Sequence, residues 1–224
     1  MSPDKLPVGE PVDPATARRP ERRQREGRSV RLSAVDPEAH AAHLFSATRD
    51  EPEVWTYLGY GPFADESEMR RWIATLVPSE DPMFMTVIDR ASGAPVGIVS
   101  YMNIDVEMRH LELGNIWYVP AAQRTRANTE TVFLMLEEAF EDLGYRRVEW
   151  KCDALNARSR AAALRLGFTF EGVFRQHMIV KGRNRDTAWY SILDGEWPSV
   201  RANMERWLES EPGTVSLGQP NSSR

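Results

Sequence analysis

The most constraining feature of this sequence is a helix set between two strands. From Thr129 the apolar residues Val132, Phe133, Leu136, Ala139, Phe140 and Leu143 recur at helical spacing, and Gly144 stands where a helix ends in a left-handed residue. The stretch before it, HLELGNIWYV, runs to Pro120 and reads as a strand, and RRVEWKCDA after it reads as another. Two strands joined through a helix cannot form a hairpin, so the chain crosses over and lays them in one sheet. The strands ahead of this unit behave differently. MFMTVIDR and PVGIVSYMNI flank the turn 91–95 as a hairpin, and HLELGNIWYV follows them as a third antiparallel strand.

The remaining elements fit around that sheet. VRLSAV (30–35) alternates apolar and polar residues as a strand does. Asp36-Pro37 opens a helix through His40, His43, Leu44 and Phe45, because Asp caps well and Pro suits the first helical position. Asp65 caps a second helix, with Met69, Trp72, Ile73 and Leu76 on one face and Pro78 and Pro82 ending it. A short helix runs from Ser159 to Leu166 and closes at Gly167. FTFEGVFRQHMIV and DTAWYSIL form a last hairpin around the turn 181–185, and Met204, Trp207 and Leu208 mark a C-terminal helix. The expected fold is therefore α/β of the α+β kind: a single mixed, mostly antiparallel sheet with helices on both faces. The domain spans 29–209 without a linker. Residues 1–28, with the run ARRPERRQREGR, read as an extended or flexible arm, solvated or wrapped on the domain or on a second subunit; 210–224 read as an unstructured tail.

Composition removes several function classes. A net charge of -5 disfavours non-specific nucleic-acid binding, and no recognition motif follows the basic arm. The single cysteine, Cys152, excludes an intramolecular disulfide and thiolate metal clusters, so no metal is expected and a reducing, cytoplasmic setting fits. No apolar run approaches the roughly 20 residues of a membrane helix, and no secretory h-region opens the chain. A homodimer is compatible with the Trp-rich edges and the hairpin, and the sequence does not decide it.

Two segments carry the chemistry. The junction 119–129 joins a strand to a helix, where free backbone N–H groups bind anions. Arg124 and Arg126 add positive charge that meets a pyrophosphate, or they are solvated surface. In the second segment, Cys152 to Phe168, a strand ends, Asn156 turns the chain and a helix starts. Asn156 and Ser159 are suited to be turn and cap residues; alternatively, both face a ligand lying between this strand and the previous one. Cys152 on its strand reads as a buried apolar residue.

The order of elements and these segments together resemble the GNAT superfamily of acyl-CoA N-acyltransferases, with the branch of ribosomal-protein N-terminal alanine acetyltransferases most similar. The resemblance covers roughly 30–198. The family's pyrophosphate loop, Q/R-x-x-G-x-G/A often followed by T-E, is met by Gln123-Arg-Thr-Arg126-Ala-Asn128-Thr-Glu130. Its N-x-x-S/A…A…LGF pattern is met by Asn156, Ser159, Ala163 and Leu166-Gly-Phe168. Glu171-Gly172 and Asp186…Trp189-Tyr190-Ser191 follow the same branch. The loop departs from the pattern: the glycine position holds Arg126 and the last small residue is Asn128. Either the loop enters the helix at ordinary angles, or the side chain of Arg124 or Arg126 replaces what glycine backbone provides.

The resemblance implies acetyl transfer from acetyl-CoA, or another acyl-CoA such as succinyl-CoA, to a primary amine by direct attack. A non-catalytic acyl-CoA-binding module is the alternative. It implies donor contacts along Trp117, Tyr118, Val119, Arg124, Thr125, Arg126, Ala127, Asn128, Thr129, Asn156 and Ser159, with a strand-end N–H at 117–119 polarising the thioester carbonyl. Glu112 is the candidate base and His110 a weaker one. Ser159 is the candidate by position for the thiolate's proton; a serine is a poor acid, so it acts mainly by hydrogen bonding, with Tyr118 or Tyr190 as substitutes. On the acceptor side, Trp55, Tyr57, Tyr60 and Phe63 form an aromatic pocket or pack the helical layer, and Asp50, Glu51 and Glu53 attract an amine or are solvated.

Overall fold

The computed structural model describes residues 6–211 and Leu217. Eight strands form one sheet in the order β1-β2-β3-β4-β5-β6-β8-β7. They are β1 (Arg25–Glu26), β2 (Val30–Ala34), β3 (Met83–Asp89), β4 (Pro95–Asp105), β5 (His110–Tyr118), β6 (Arg147–Asp153), β7 (Thr169–Val180) and β8 (Arg183–Leu193). Every neighbouring pair is antiparallel except β5 and β6, the pair joined through a helix. The helices are α1 (Pro37–Thr48), α2 (Glu66–Leu76), α3 (Arg126–Glu137, continued by a π turn, Glu138–Asp142), α4 (Ala157–Arg165) and α5 (Trp197–Glu209).

Helices cover both faces. His40 of α1 meets Thr86 of β3 at 3.0 Å on one side. On the other, the Tyr101 hydroxyl of β4 donates to the Met135 carbonyl of α3 at 2.7 Å. Asp36 and Asp65 cap α1 and α2 through backbone N–H groups two or three residues on, as side-chain carboxylates at that position do. Gly144 takes φ +80° just past the π turn, the conformation that only a residue without Cβ adopts without strain.

Two boundaries differ from the sequence reading. Helix α3 starts at Arg126, not Thr129, because the Thr125 hydroxyl accepts from the Ala127 N–H and caps it earlier. The last hairpin turns on Lys181 and Gly182 alone, with φ +48° and +72°, so Arg183 to Arg185 belong to β8. Two successive left-handed residues make the turn whose twist matches the strands it joins.

From Ala17 onward the arm lies against the domain. The Ala17 N–H donates to Val106 O at 2.9 Å and the Arg18 N–H to Leu143 O at 2.8 Å. The Arg22 guanidinium donates to Ser79 O, and Arg25 pairs with Asp142 at 2.9 Å. Of the expected C-terminal tail, Ser210, Glu211 and a buried Leu217 are described; 212–216 and 218–224 lie outside the described residues.

Candidate active site

Strands β5 and β6 pair only over four rungs, His110↔Arg147 to Leu113↔Trp150. Beyond them both strands run on, to Tyr118 and Asp153, still bonded to their outer neighbours β4 and β8. The sheet is therefore open between Gly114–Tyr118 and Lys151–Asp153. A local cause sits in β5: Asn115 has φ +52°, and the register with β4 slips between Gly114 and Trp117. A bulge of this kind bends and twists its strand and ends regular pairing. Asn115 is held by its amide, which donates to Ser100 Oγ at 3.0 Å. Its type is the one signal of this bulge in the sequence, since Asn is among the non-glycine residues enriched at positive φ.

Backbone groups line the opening. The Val119 N–H donates back to Val96 O on β4 at 2.9 Å, which removes Val119 from the expected carbonyl-polarising set. Successive residues of a strand point their N–H groups to opposite edges, so that of Tyr118 faces the gap. The Tyr118 carbonyl lies on the same side and is taken by the Gln123 side chain at 3.1 Å. The side chains of Trp117 and Tyr118 are buried. Burial pushes the Tyr118 phenol above its ordinary range, which makes this hydroxyl a weaker acid.

The start of α3 opens beside the same gap. Arg126 has helical geometry, and the left-handed residue is Arg124, at φ +61°. Substitution of the loop glycine therefore strains nothing at 126. The Arg126 side chain does not reach forward, correcting the expected phosphate contact. It donates to the carbonyls of Leu208, at 2.7 Å, and Ser210, and it lies over the Trp207 ring at 5.1 Å. It thus closes the C-terminus of α5, where carbonyls lack partners and a cation is favoured. Arg124 is exposed, Ala127 is buried, Asn128 is half-buried, and Thr129 is buried with its hydroxyl accepting from Arg165 Nη1 at 2.9 Å. Helix geometry leaves the first-turn N–H groups without intrahelical acceptors; Thr125 takes that of Ala127.

Across the opening, Asn156 caps α4. Its Oδ1 accepts from the Ser159 N–H at 3.1 Å, so the cap role holds and its amide NH2 points onward. Ser159 Oγ accepts from Trp150 Nε1 at 3.0 Å. A hydroxyl that accepts from an indole keeps its own proton free to donate. Tyr190 is buried, and its oxygen accepts from Arg160 Nε at 3.1 Å. Cys152 is buried as expected, and burial pushes its thiol up, away from the reactive thiolate.

Glu112 faces the side covered by α1 and α2 and is 4% exposed. Its Oε2 takes Lys151 Nζ at 2.6 Å and the Asn103 amide at 2.6 Å. Burial pushes its carboxyl above the usual range, and Lys151 and Asn103 only partly offset this. The Lys151 ammonium also lies 4.1 Å above the Trp189 ring. The sequence reading named Glu112 but missed Lys151, which is 39 positions downstream (151 − 112) and comes near only through sheet pairing. His110 sits at the sheet's lower end, 3.8 Å from Asp105 and away from the opening.

The aromatic stretch divides. Trp55 is 1% exposed and packs on Phe63, Tyr60 and Trp117, so of its two expected roles the packing of the helical layer is the one this geometry shows. Tyr60 stacks on Trp72 at 4.4 Å; its hydroxyl and the Trp117 N–H, both buried, face each other outside hydrogen-bond geometry. Tyr57 is half-buried, and its hydroxyl donates to Leu155 O at 3.2 Å, next to Asn156. Lys181, at the tip of the β7–β8 hairpin, donates to Trp55 O and Tyr60 O at 2.9 and 3.1 Å. The three loops thus form an arch over the open end of the sheet. Asp50, Glu51 and Glu53 are exposed. No cluster of three metal-ligating side chains occurs among the described residues, and no helix there is long and apolar enough to cross a membrane.

Residues 29–169, which hold the opened parallel pair and the start of α3, match the model of the acetyltransferase (GNAT) domain. The chain belongs to the GNAT family. A GCN5-related N-acetyltransferase from Brucella melitensis is 43% identical, with a TM-score of 0.85 over 92% of this chain and 93% of that one. The Bacillus subtilis (strain 168) protein YdaF, assigned by name only as a ribosomal N-acetyltransferase, is 32% identical over 105 residues; the match spans 47% of this chain and 57% of YdaF. The microcin C7 self-immunity acetyltransferase MccE, in complex with acetyl-CoA and AMP, shares the fold with a TM-score of 0.66 at 22% identity over 75% of this chain and 93% of that one.

Proposed function

We propose that this chain moves an acetyl group from acetyl-CoA to a primary amine, a protein N-terminus or a small amine, by direct attack in a ternary complex. The observation that carries the reading is the open β5–β6 edge flanked by the starts of α3 and α4. The pantetheine arm lies in that opening as a missing strand would, bonded by main-chain groups. The diphosphate meets the first-turn N–H groups of α3, and the Asn156 amide holds the arm. The neutral amine attacks the thioester carbon, and the Tyr118 N–H stabilises the oxyanion. The amine's proton passes through water to Glu112, which is too buried for direct contact. As the C–S bond breaks, the Ser159 hydroxyl hydrogen-bonds the departing thiolate, which takes its proton from water, and no covalent enzyme intermediate forms.

The name of YdaF, a ribosomal N-acetyltransferase, favours a ribosomal acceptor over a free small amine. The charged-donor reading rested on the loop arginines, and Arg126 is engaged at α5. The non-catalytic reading rested on the lost glycine, and Arg126 sits there at helical angles. Free thiol release from acetyl-CoA, measured with peptides bearing free N-termini and with small amines, tests the proposal. Release no faster than without acceptor, across the whole panel, sinks it.

A further inference from the structure

We propose that Arg165 binds the donor, its guanidinium pairing with the diphosphate of the acyl-CoA at the start of α3. The inference rests on the donor placement proposed above and adds a residue that the family motif does not contain.

Arg165 ends α4, and its Nη1 donates across the cleft to the Thr129 hydroxyl in the first turn of α3. It is half-buried, and among the described residues it forms no ion pair with a carboxylate. Burial alone pulls its guanidinium below the ordinary range, with no anion opposing. The interior treats other half-buried arginines differently. Arg25 lies among Glu137, Glu138 and Asp142, and Arg147 between Glu149 and Glu171; these carboxylates raise both. Arg126 sits at the negative end of α5. Arg165 lacks such a partner and also stands at the positive end of α3, where a cation is disfavoured. A desolvated cation beside a helix N-terminus is costly unless an anion arrives to meet both. A diphosphate does so: two oxygens accept the planar guanidinium while others take the α3 amides. The Thr129 hydroxyl holds the guanidinium over that turn in the free protein.

The test is calorimetric titration of the full chain, wild type, Arg165→Gln and Arg165→Lys, with CoA and with 3′-dephospho-CoA, beside the melting temperature of each ligand-free protein. Loss of one charge-assisted contact predicts that Arg165→Gln weakens both ligands by a similar factor, about tenfold to a hundredfold. Arg165→Lys, which keeps charge but not the bidentate fork, falls between. The ligand-free melting temperature of Arg165→Gln does not drop, since the folded protein loses an unpaired charge rather than a bond network. Unchanged affinity in Arg165→Gln overturns the proposal. So does a loss confined to CoA, which puts the guanidinium on the ribose 3′-phosphate, or a lower melting temperature with unchanged affinity, which makes the residue structural. If the wild type binds neither ligand, the donor reading fails first and this inference with it.

Discussion

Lys151 lies between a carboxylate and an indole ring, and that placement fixes how pH acts on the site. Glu112 accepts a proton only as the carboxylate, and burial already raises its pKa. Activity is therefore expected to fall as pH drops through a value above the usual carboxylate range, not at it. Lys151 holds this pKa down, so Lys151→Met raises it further, and the acid limb of kcat/KM moves to higher pH. A limb that stays in place would show that Glu112 is not the group titrating. Glu112→Gln, similar in shape, is expected to lower kcat by about 10²- to 10⁴-fold with the protein still folded. Arg126 gives the opposite pattern. Because its guanidinium closes α5, Arg126→Ala should cost about 1 kcal/mol of stability by urea unfolding. Its affinity for CoA should stay within about twofold, since the first-turn amides of α3 survive the change.

At the scale of elements, Glu130 shows how α3 is tied to the sheet. It is buried in α3, and its carboxylate accepts from the Arg28 N–H at 2.5 Å, the Ser29 N–H at 2.7 Å, the Ser29 hydroxyl and the Val30 N–H at 3.0 Å. Glu130→Ala strands buried donors in the chain entering β2, and thermal or urea melts should show a loss of about 3 kcal/mol or more. A loss near zero would mean water replaces the carboxylate. Caps and apolar period made most elements legible: Asp36, Asp65 and Gly144 mark ends through local hydrogen bonds or backbone angles that neighbouring residues determine. The crossover helix likewise announced the mixed sheet. The start of α3 was misread because Thr125 caps where the family pattern sets a glycine loop. The site was only partly legible. Asn156 and Ser159 fall on motif positions and Glu112 was reached through the resemblance, whereas Lys151 contacts Glu112 from the neighbouring strand and Arg165 contacts Thr129 from another helix. Such partnerships arise from packing, which no local pattern encodes.

At the scale of the whole molecule, the arm's anchors and the proposed donor site lie at opposite ends of α3. The arm joins the end of the sheet opposite the opening: Ala17 bonds the β4–β5 turn at Val106, Arg18 bonds Leu143 past α3, and Arg22 bonds Ser79 past α2. From the Thr125 cap to Asp142 the α3 helix and its π turn run about 25 Å at 1.5 Å per residue. Over that span, screening and intervening core leave little coupling between arm and phosphates. Arg25, with Glu137, Glu138 and Asp142, continues the seam into β1, so the arm acts as a strap across three elements. A chain lacking residues 1–24 keeps Arg25 and the Glu130 clasp but loses the strap. Its melting temperature is expected to fall by several degrees, as a loss of 1–2 kcal/mol gives in a domain of this size. Calorimetric affinity for CoA should stay that of the full chain at a temperature where both are folded. Weaker donor binding in the folded truncated chain would refute the separation, because the arm would then reach the site through α3 rather than anchor its far end.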